Sequence, residues 1–265
     1  MLRSLWTAAT GLSAQQRNVD VTANNLANVN TAGFKRSRAD FQDLFYSRLR
    51  EPGTQAATPG LFVPTGIQVG NGVTNVGTTF TFSRGALQNT ERPEDVSIQD
   101  DTSFFQVTAS DGSTTLYTRD GNFHRDSAGN IVTATGLKLS PGLTVPADAV
   151  GFTFGADGTV WARMGIGQAD QNIGQIQLAF FPNPAGLRAL GGNLFGQTES
   201  SGAAVPGTPG QDQFGELQSG YLEMSNVDAA RELINLIQAQ RAFEMNSKSI
   251  QTSDEMLQTT AALRR

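Results

Sequence analysis

The chain has 265 residues, 38% of them apolar, with 29 glycines and 10 prolines; this allows one or two cores of modest size and suits many short strands and turns. Net charge is −5, but residues 1–50 carry seven Lys/Arg against three Asp, and the rest is acidic. No dense basic run with interleaved aromatics appears, so no nucleic-acid partner is expected; the absence of cysteine removes disulfides, thiolate metal sites and cysteine nucleophiles.

In chain order, Leu2, Leu5, Ala9, Leu12, Gln16, Val19, Ala23 and Leu26 recur at alternating steps of three and four, the pattern of a helix that packs along its length on other helices. A helix of about 29 residues would be roughly 43 Å long, more than a small core needs, so the seam is expected to be completed by partners. Asn24, Asn25 and Asn28 follow near its end, and Gly33 before Phe34 supplies a stop that tolerates a left-handed conformation. Asn18, Asn25 and Asn28 share one helical face, read equally as a solvated helix end or as hydrogen bonding to neighbouring helices. The first nine residues lack an unbroken apolar run of signal-peptide length, and no stretch is long and apolar enough to span a bilayer. Neither a cleaved signal nor direct membrane insertion is expected.

Residues 38–50 read as partly helical, with Phe41 and Phe45 four positions apart. From Glu51 to Gly72 periodicity disappears; Pro52, Pro59 and Pro64 predict an extended segment too long for an ordinary loop. From Val73 the period becomes two, with Val76, Phe80 and Phe82 on one side. Short apolar runs follow at residues 104–107, 115–117, 131–132, 137–139, 152–154, 160–161 and 176–181. Asp111-Gly112, Asp120-Gly121 and Asp157-Gly158 supply turns between them, which together predicts a mostly antiparallel β domain. Helix returns at Ser225-Asn226-Val227-Asp228, a capping-box-like start with Ser225 as N-cap. Ala230, Leu233, Ile237, Gln240, Phe243, Ser247, Ile250, Leu257 and Ala261 then share a face, widened by Ile234 and Leu236, over about 55 Å.

Catalytic candidates are few. His124 is the only histidine, too little for a zinc site or a triad, and reads as an exposed strand residue. Asp100-Asp101 and Glu94-Asp95 match no calcium loop, and Gly165-Ile166-Gly167 lies between strands rather than before a helix. No catalytic residue, metal or cofactor is expected.

Two stretches carry a resemblance. Residues from Ala23 to Arg36 (Ala-Asn-Asn-Leu-Ala-Asn-Val-Asn-Thr-Ala-Gly-Phe-Lys-Arg) resemble the N-terminal hallmark of the flagellar rod and hook proteins. Ser225 to Asp228 and Gln240 to Lys248 resemble its C-terminal counterpart. Residues from Pro64 to Gly70 and from Tyr117 to Gly121 are most similar to the distal-rod branch of that family. Where the family places Gly-x-Gly before a paired Phe, this chain has Asp100-Asp101-Thr102-Ser103.

The resemblance implies an α+β fold in which long N- and C-terminal helices form a coiled-coil inner region around a mostly antiparallel β domain. Residues 1–36 and 216–265 would supply the inner tube, 37–75 an extended inter-subunit segment and 76–215 the outer domain. It implies a structural, non-catalytic subunit of the flagellar distal rod, a tubular drive shaft that crosses the periplasm, transmits torque to the hook and encloses an export channel. Its implied partners are further copies of itself, the proximal rod proteins, the hook protein, the surrounding ring proteins and the flagellar type III export apparatus. Leu2, Leu5, Leu12, Val19, Asn24, Asn25, Leu26, Asn28, Gly33, Phe34, Leu233, Ile237, Gln240, Phe243, Ile250 and Leu257 are the expected helix-packing and polymer positions. Pro52, Pro59, Pro64 and Gly66 are the expected bridging positions, and Phe41 with Phe45 an export-gate motif. Another axial subunit, proximal rod or hook, is the nearest alternative; a glycan-binding or wall-hydrolysing β domain is a further one.

Overall fold

The structure is a computed structural model and describes residues 2–53, 64–109, 111–165 and 169–262. Two long helices, α1 (Leu2–Ala27) and α2 (Ala229–Ala262), stand at the ends of the chain, and among the described residues between them the strands from Ser47 onward pair antiparallel wherever their register is given. The chain divides into two compact units. One holds α1, residues 37–79 and α2; the other holds residues 27–36 and 80–228.

In the first unit the helices run antiparallel. Ser4 Oγ lies 3.5 Å from Ser253 Oγ near one end, and Asn25 Nδ2 lies 3.5 Å from Glu232 Oε2 near the other. Between them Gly11 faces Asn246, whose side chain would sit 3.1 Å from a Cβ added there, so the missing side chain is what lets the helices approach. On its other flank α1 meets the strand Val73–Phe80, where Val73 N–H donates to Thr10 Oγ1 at 3.3 Å. That strand pairs with Ser37–Asp43, and Ser47–Arg50 pairs with Ile67–Val69.

Three expectations are corrected here. Residues 38–50 are two strands, not a partial helix: alternation with the strand partners at 67–69 and 73–80 outweighs the single four-residue spacing of Phe41 and Phe45. In Val73–Phe80 the half-covered residues are Val73, Asn75, Gly77 and Thr79, and Val76 points outward; only from Phe80 onward do the aromatics turn inward. α2 begins at Ala229, four residues after the expected cap. Ser225 Oγ instead accepts from Val227 N–H at 3.3 Å, a local turn in place of an N-cap.

The second unit owes its two cores to one strand. In Ser103–Thr108 side chains alternate between faces, yet Phe104, Phe105 and Val107 are all fully buried, because both faces are covered. Phe105 and Val107 face a large cluster that includes Phe123, Phe152, Phe154 and Leu178; Phe104 faces a smaller one with Phe82, Tyr117, Phe181 and Phe195. Edge-to-face pairs run through both: Phe105 with Phe123 at 5.3 Å, Phe82 with Phe104 at 5.4 Å and Tyr117 with Phe181 at 4.7 Å. The strand's neighbours on either side are Thr115–Thr118 and Lys138–Leu139, with Leu178–Phe180 also paired to it. A separate three-stranded sheet, Ala149–Phe154, Thr159–Met164 and Gln171–Gln175, closes the larger core with Phe152, Phe154, Val160 and Ala162. The Asp111-Gly112 and Asp157-Gly158 turns form as expected, each glycine with positive φ.

Candidate assembly site

The helices of the first unit are only half covered by their own chain. On α1 one track of the predicted seam, Leu5, Leu12, Val19 and Leu26, is half-buried. The other track, Ala9, Gln16 and Ala23, points outward, and Ala8, Gln15 and Thr22 lie on the covered side in its place. On α2 one covered track runs through Glu232, Leu236, Ala239, Phe243, Asn246, Ile250, Ser253 and Leu257, alternating by four and three, with Asn235, Ala242 and Ser247 half-buried beside it. Leu233, Ile237 and Gln240 of the predicted face are exposed, and so are Ile234 and Met245. α2 therefore carries two apolar stripes, one toward α1 and one toward solvent. Trp6 on α1 is 74% exposed. Burying an apolar side chain of this size is worth roughly 1.5–3 kcal/mol, so covering the outer stripe would be favourable. Leu2 heads α1.

A carboxamide bracket closes the far end of the pair. Asn25, 1% exposed, donates from Nδ2 to Ser37 O at 2.7 Å and accepts at Oδ1 from Ser37 N–H at 3.0 Å and Ser37 Oγ at 3.2 Å. Its contact with Glu232 ties the same side chain to α2. Asn24 is exposed, Asn28 half-buried with Oδ1 accepting from Thr31 Oγ at 3.2 Å.

The paired strands Ser47–Arg50 and Ile67–Val69 form an arm with little of its own to bury. Phe45 is 93% exposed, and Tyr46, Leu49, Ile67 and Val69 are exposed around it, with Phe41 nearby at 38%. Asn71 Nδ2 donates to Phe45 O at 2.7 Å and Leu44 N–H to Gly72 O at 2.8 Å, which fixes the turn that presents Phe45. Pro52 follows one strand of the arm and Pro64 precedes the other, and a Cβ on Gly66 would fall 2.5 Å from Arg50 O, so only glycine fits there. Pro59 lies outside the described residues.

In the second unit Lys35 of the N-terminal hallmark and Arg119 of the Tyr117–Gly121 stretch meet in a buried ionic cluster around Glu223. Lys35, 2% exposed, donates to Glu223 Oε1 at 2.6 Å and to Ser83 O at 2.9 Å. Glu223 Oε1 also accepts from Gly85 N–H at 3.0 Å, and Oε2 stands 3.2 Å from Arg119 Nε, an ionic contact without hydrogen-bond alignment. Arg119, itself 1% exposed, donates to Asp100 Oδ1 at 3.2 Å and to the main-chain oxygens of Asp100 and Ser103, with its guanidinium 5.8 Å from the Phe104 ring. Burial, reinforced by the neighbouring Arg119 charge, lowers the Lys35 pKa to about 8 despite Glu223. The departure at residues 100–103 thus has a structural content. Asp100 accepts from Ser103 N–H at 3.1 Å and from Gly215 N–H at 3.3 Å while pairing Arg119, so a carboxylate organises the turn.

Asn226 adds a second bracket: Oδ1 accepts from Arg36 N–H at 2.7 Å, and Nδ2 donates to Thr81 O at 2.8 Å and Ser83 O at 3.0 Å. Gly33, with φ +70°, donates to Glu223 O at 2.8 Å, and a Cβ there would meet Asp120 N at 2.6 Å. Phe34 beside it is half-buried. Sequence reasoning missed the Lys35, Arg119, Glu223 and Asn226 network. The signal was present in two resembling stretches that carry a lysine and an arginine, but their carboxylate partner is 188 residues from Lys35 along the chain.

Comparison with known proteins gives three family-model matches. Residues 5–35 match the flagella basal body rod protein model, 99–162 the flagellar hook protein FlgE/F/G D1 domain, and 218–263 the flagellar basal body rod FlgEFG protein C-terminal region. The chain is 46% identical to the flagellar basal-body rod protein FlgG of Caulobacter vibrioides over 99% of its own length and 100% of that protein's. It is 45% identical to the protein of the same description from Borreliella burgdorferi, with both chains fully covered. Identity falls to 30%, over 97% of each chain, for the flagellar hook-basal body complex protein FlhP of Bacillus subtilis.

Proposed function

The chain belongs to the flagellar basal-body rod and hook protein family and is a structural subunit of the distal rod; from this we propose that it polymerises through its terminal helices into a helical tube. One observation carries the reading: α1 and α2 pair with each other, yet each keeps large apolar side chains outward, Trp6 on one and Leu233, Ile234 and Ile237 on the other. Neighbouring copies would cover these stripes and complete a coiled-coil inner wall around an export channel. Contacts of head-to-tail type that do not close on themselves generate open helical polymers. The subunit transmits torque through many such contacts, and no catalytic step belongs to the reading.

The arm built from Ser47–Arg50 and Ile67–Val69, together with the chain between its strands that carries Pro52, Pro59, Pro64 and Gly66 in sequence, would reach an adjacent copy and stiffen the tube. Phe45, presented at a turn, would serve with Phe41 in docking at the export gate. Proximal rod, hook and surrounding ring proteins would be its other neighbours across the periplasm.

Electron microscopy of the purified chain at rising concentration tests the central claim. Tubes of uniform diameter are the expected product, and a chain that stays monomeric up to its solubility limit ends the proposal. Deleting residues 53–65 should lower the bending rigidity of the tubes; unchanged rigidity removes the bridging role. Phe45→Ala should reduce the secreted fraction of the protein with no change in its melting temperature, and normal secretion removes the export role.

A further inference from the structure

Between α1 and α2 lies a groove of about 480 Å3 bounded by Gln16, Val19, Gln240, Phe243 and Glu244. Val19 and Phe243 are half-buried and make an apolar floor; Gln16, Gln240 and Glu244 are exposed and make a polar rim. The volume is that of one large side chain with room to spare, too small for a helix. A side chain presented from a surface fits it.

The same chain presents one. Trp6 stands 74% exposed on α1, and Arg3, three residues before it, shares its face. Trp6 cannot enter its own groove. It is fixed on the same rigid helix as Gln16 and Val19, which lie ten and thirteen residues further on, roughly 15–20 Å at 1.5 Å per residue. We propose that the groove receives Trp6 of a second copy of this chain, with Arg3 of that copy paired to Glu244 on the rim.

The chemistry of the two surfaces matches. The indole offers a large apolar body and one N–H that needs an acceptor when buried, and the rim carries the side-chain oxygens of Gln16, Gln240 and Glu244. Arg3 and Glu244 are opposite charges, both exposed, and neither has an ion-pair partner among the described residues. Knob and groove are different patches of one subunit, so each copy would use one of each, and the contact propagates instead of closing into a dimer. The inference rests on the polymerisation reading and names the contact that drives it.

The absence of native cysteine makes the test clean. Trp6→Cys protein is mixed with Gln240→Cys protein, assembled and oxidised, with Trp6→Cys plus Val150→Cys as the control pair. Trp6 and Gln240 are both exposed, so neither change disturbs a core. Disulfide-linked heterodimers in the first mixture and none in the control are expected. Tubes that form without heterodimers overturn this contact and leave polymerisation standing; a wild-type chain that forms no polymer overturns both. A second readout uses Trp161→Phe, which leaves Trp6 as the sole tryptophan. Its emission should shift to the blue on assembly. Emission that stays at the wavelength of a water-exposed indole in the homopolymer, or shifts only when a different protein is added, overturns the assignment to a second copy. Trp6→Ala should raise the critical concentration for assembly by about tenfold or more, the scale of a central aromatic anchor.

Discussion

At Asn25 one carboxamide satisfies both backbone groups of Ser37 and touches Glu232, so three separate stretches of chain depend on a side chain that reads in the sequence as an ordinary poor helix former. Asn25→Ala should cost about 1–3 kcal/mol for each buried group left without a partner, measured by urea denaturation. Asn25→Asp should be at least as damaging, because it removes the donor and sets a second carboxylate against Glu232; a neutral effect would show that the bracket is dispensable. Lys35 makes a prediction in pH. Its pKa of about 8 in the folded chain lies below the ordinary 10.5, so between pH 8 and 10.5 the unfolded chain binds more protons and this group's contribution to stability rises with pH. Below pH 8 the cost of burying the charged ammonium is fully present. The stability difference between the wild type and Lys35→Met should therefore move in favour of the wild type from pH 7.5 to 10, and a shift the other way contradicts the burial argument. Truncating Glu223 is harsher still: Glu223→Gln leaves two buried cations with weakened partners, at a cost of about 3–5 kcal/mol.

At the scale of elements, periodicity located both helices and most strands, but it could not rank competing faces. α2 has two apolar stripes, and one of them, with Leu233, Ile234 and Ile237, is left outside. The inward stripe combines Leu236, Phe243, Ile250 and Leu257 with Ala239, Asn246 and Ser253, and the last two suit close approach at Gly11 and Ser4. The two stripes are separable by mutation. Ile237→Ser should change the melting temperature of the monomer little, corresponding to within about 0.5 kcal/mol, while sedimentation shows weakened assembly. Loss of monomer stability would mean that the stripe is already covered. Residues 38–50 show the opposite limit. Phe41 and Phe45 have helical spacing, but strand pairing with residues 67–69 and 73–80 is available only after a long segment folds back, and tertiary partners decide β structure more than local preference does.

For the whole molecule, a two-helix pair with an uncovered apolar stripe is marginal by itself, whereas the β unit closes two aromatic cores. Amide exchange should report this contrast. The amides of α1 and α2 should exchange much faster than those of Ser103–Thr108 in the monomer and slow on polymerisation; equal protection in both states would show that neighbours contribute nothing to the helices. Sequence alone was enough for the α–β–α order, the Asp111-Gly112 and Asp157-Gly158 turns and the family, though not for a turn at Asp120-Gly121, because hydrophobic period, Asp-Gly pairs and the two hallmark stretches are local signals that survive without coordinates. Which stripe of each helix lies inside, and the use of Asn25 and Asn226 as internal brackets, emerge from the folded chain. It alone brought Lys35, Arg119, Glu223 and Asp100 into one buried cluster. Each of those outcomes includes at least one pair more than 100 residues apart, such as Asn25 with Glu232, Arg36 with Asn226 and Lys35 with Glu223. A buried charge is tolerable only when its counter-charge arrives from elsewhere in the fold, and no local pattern encodes that arrival.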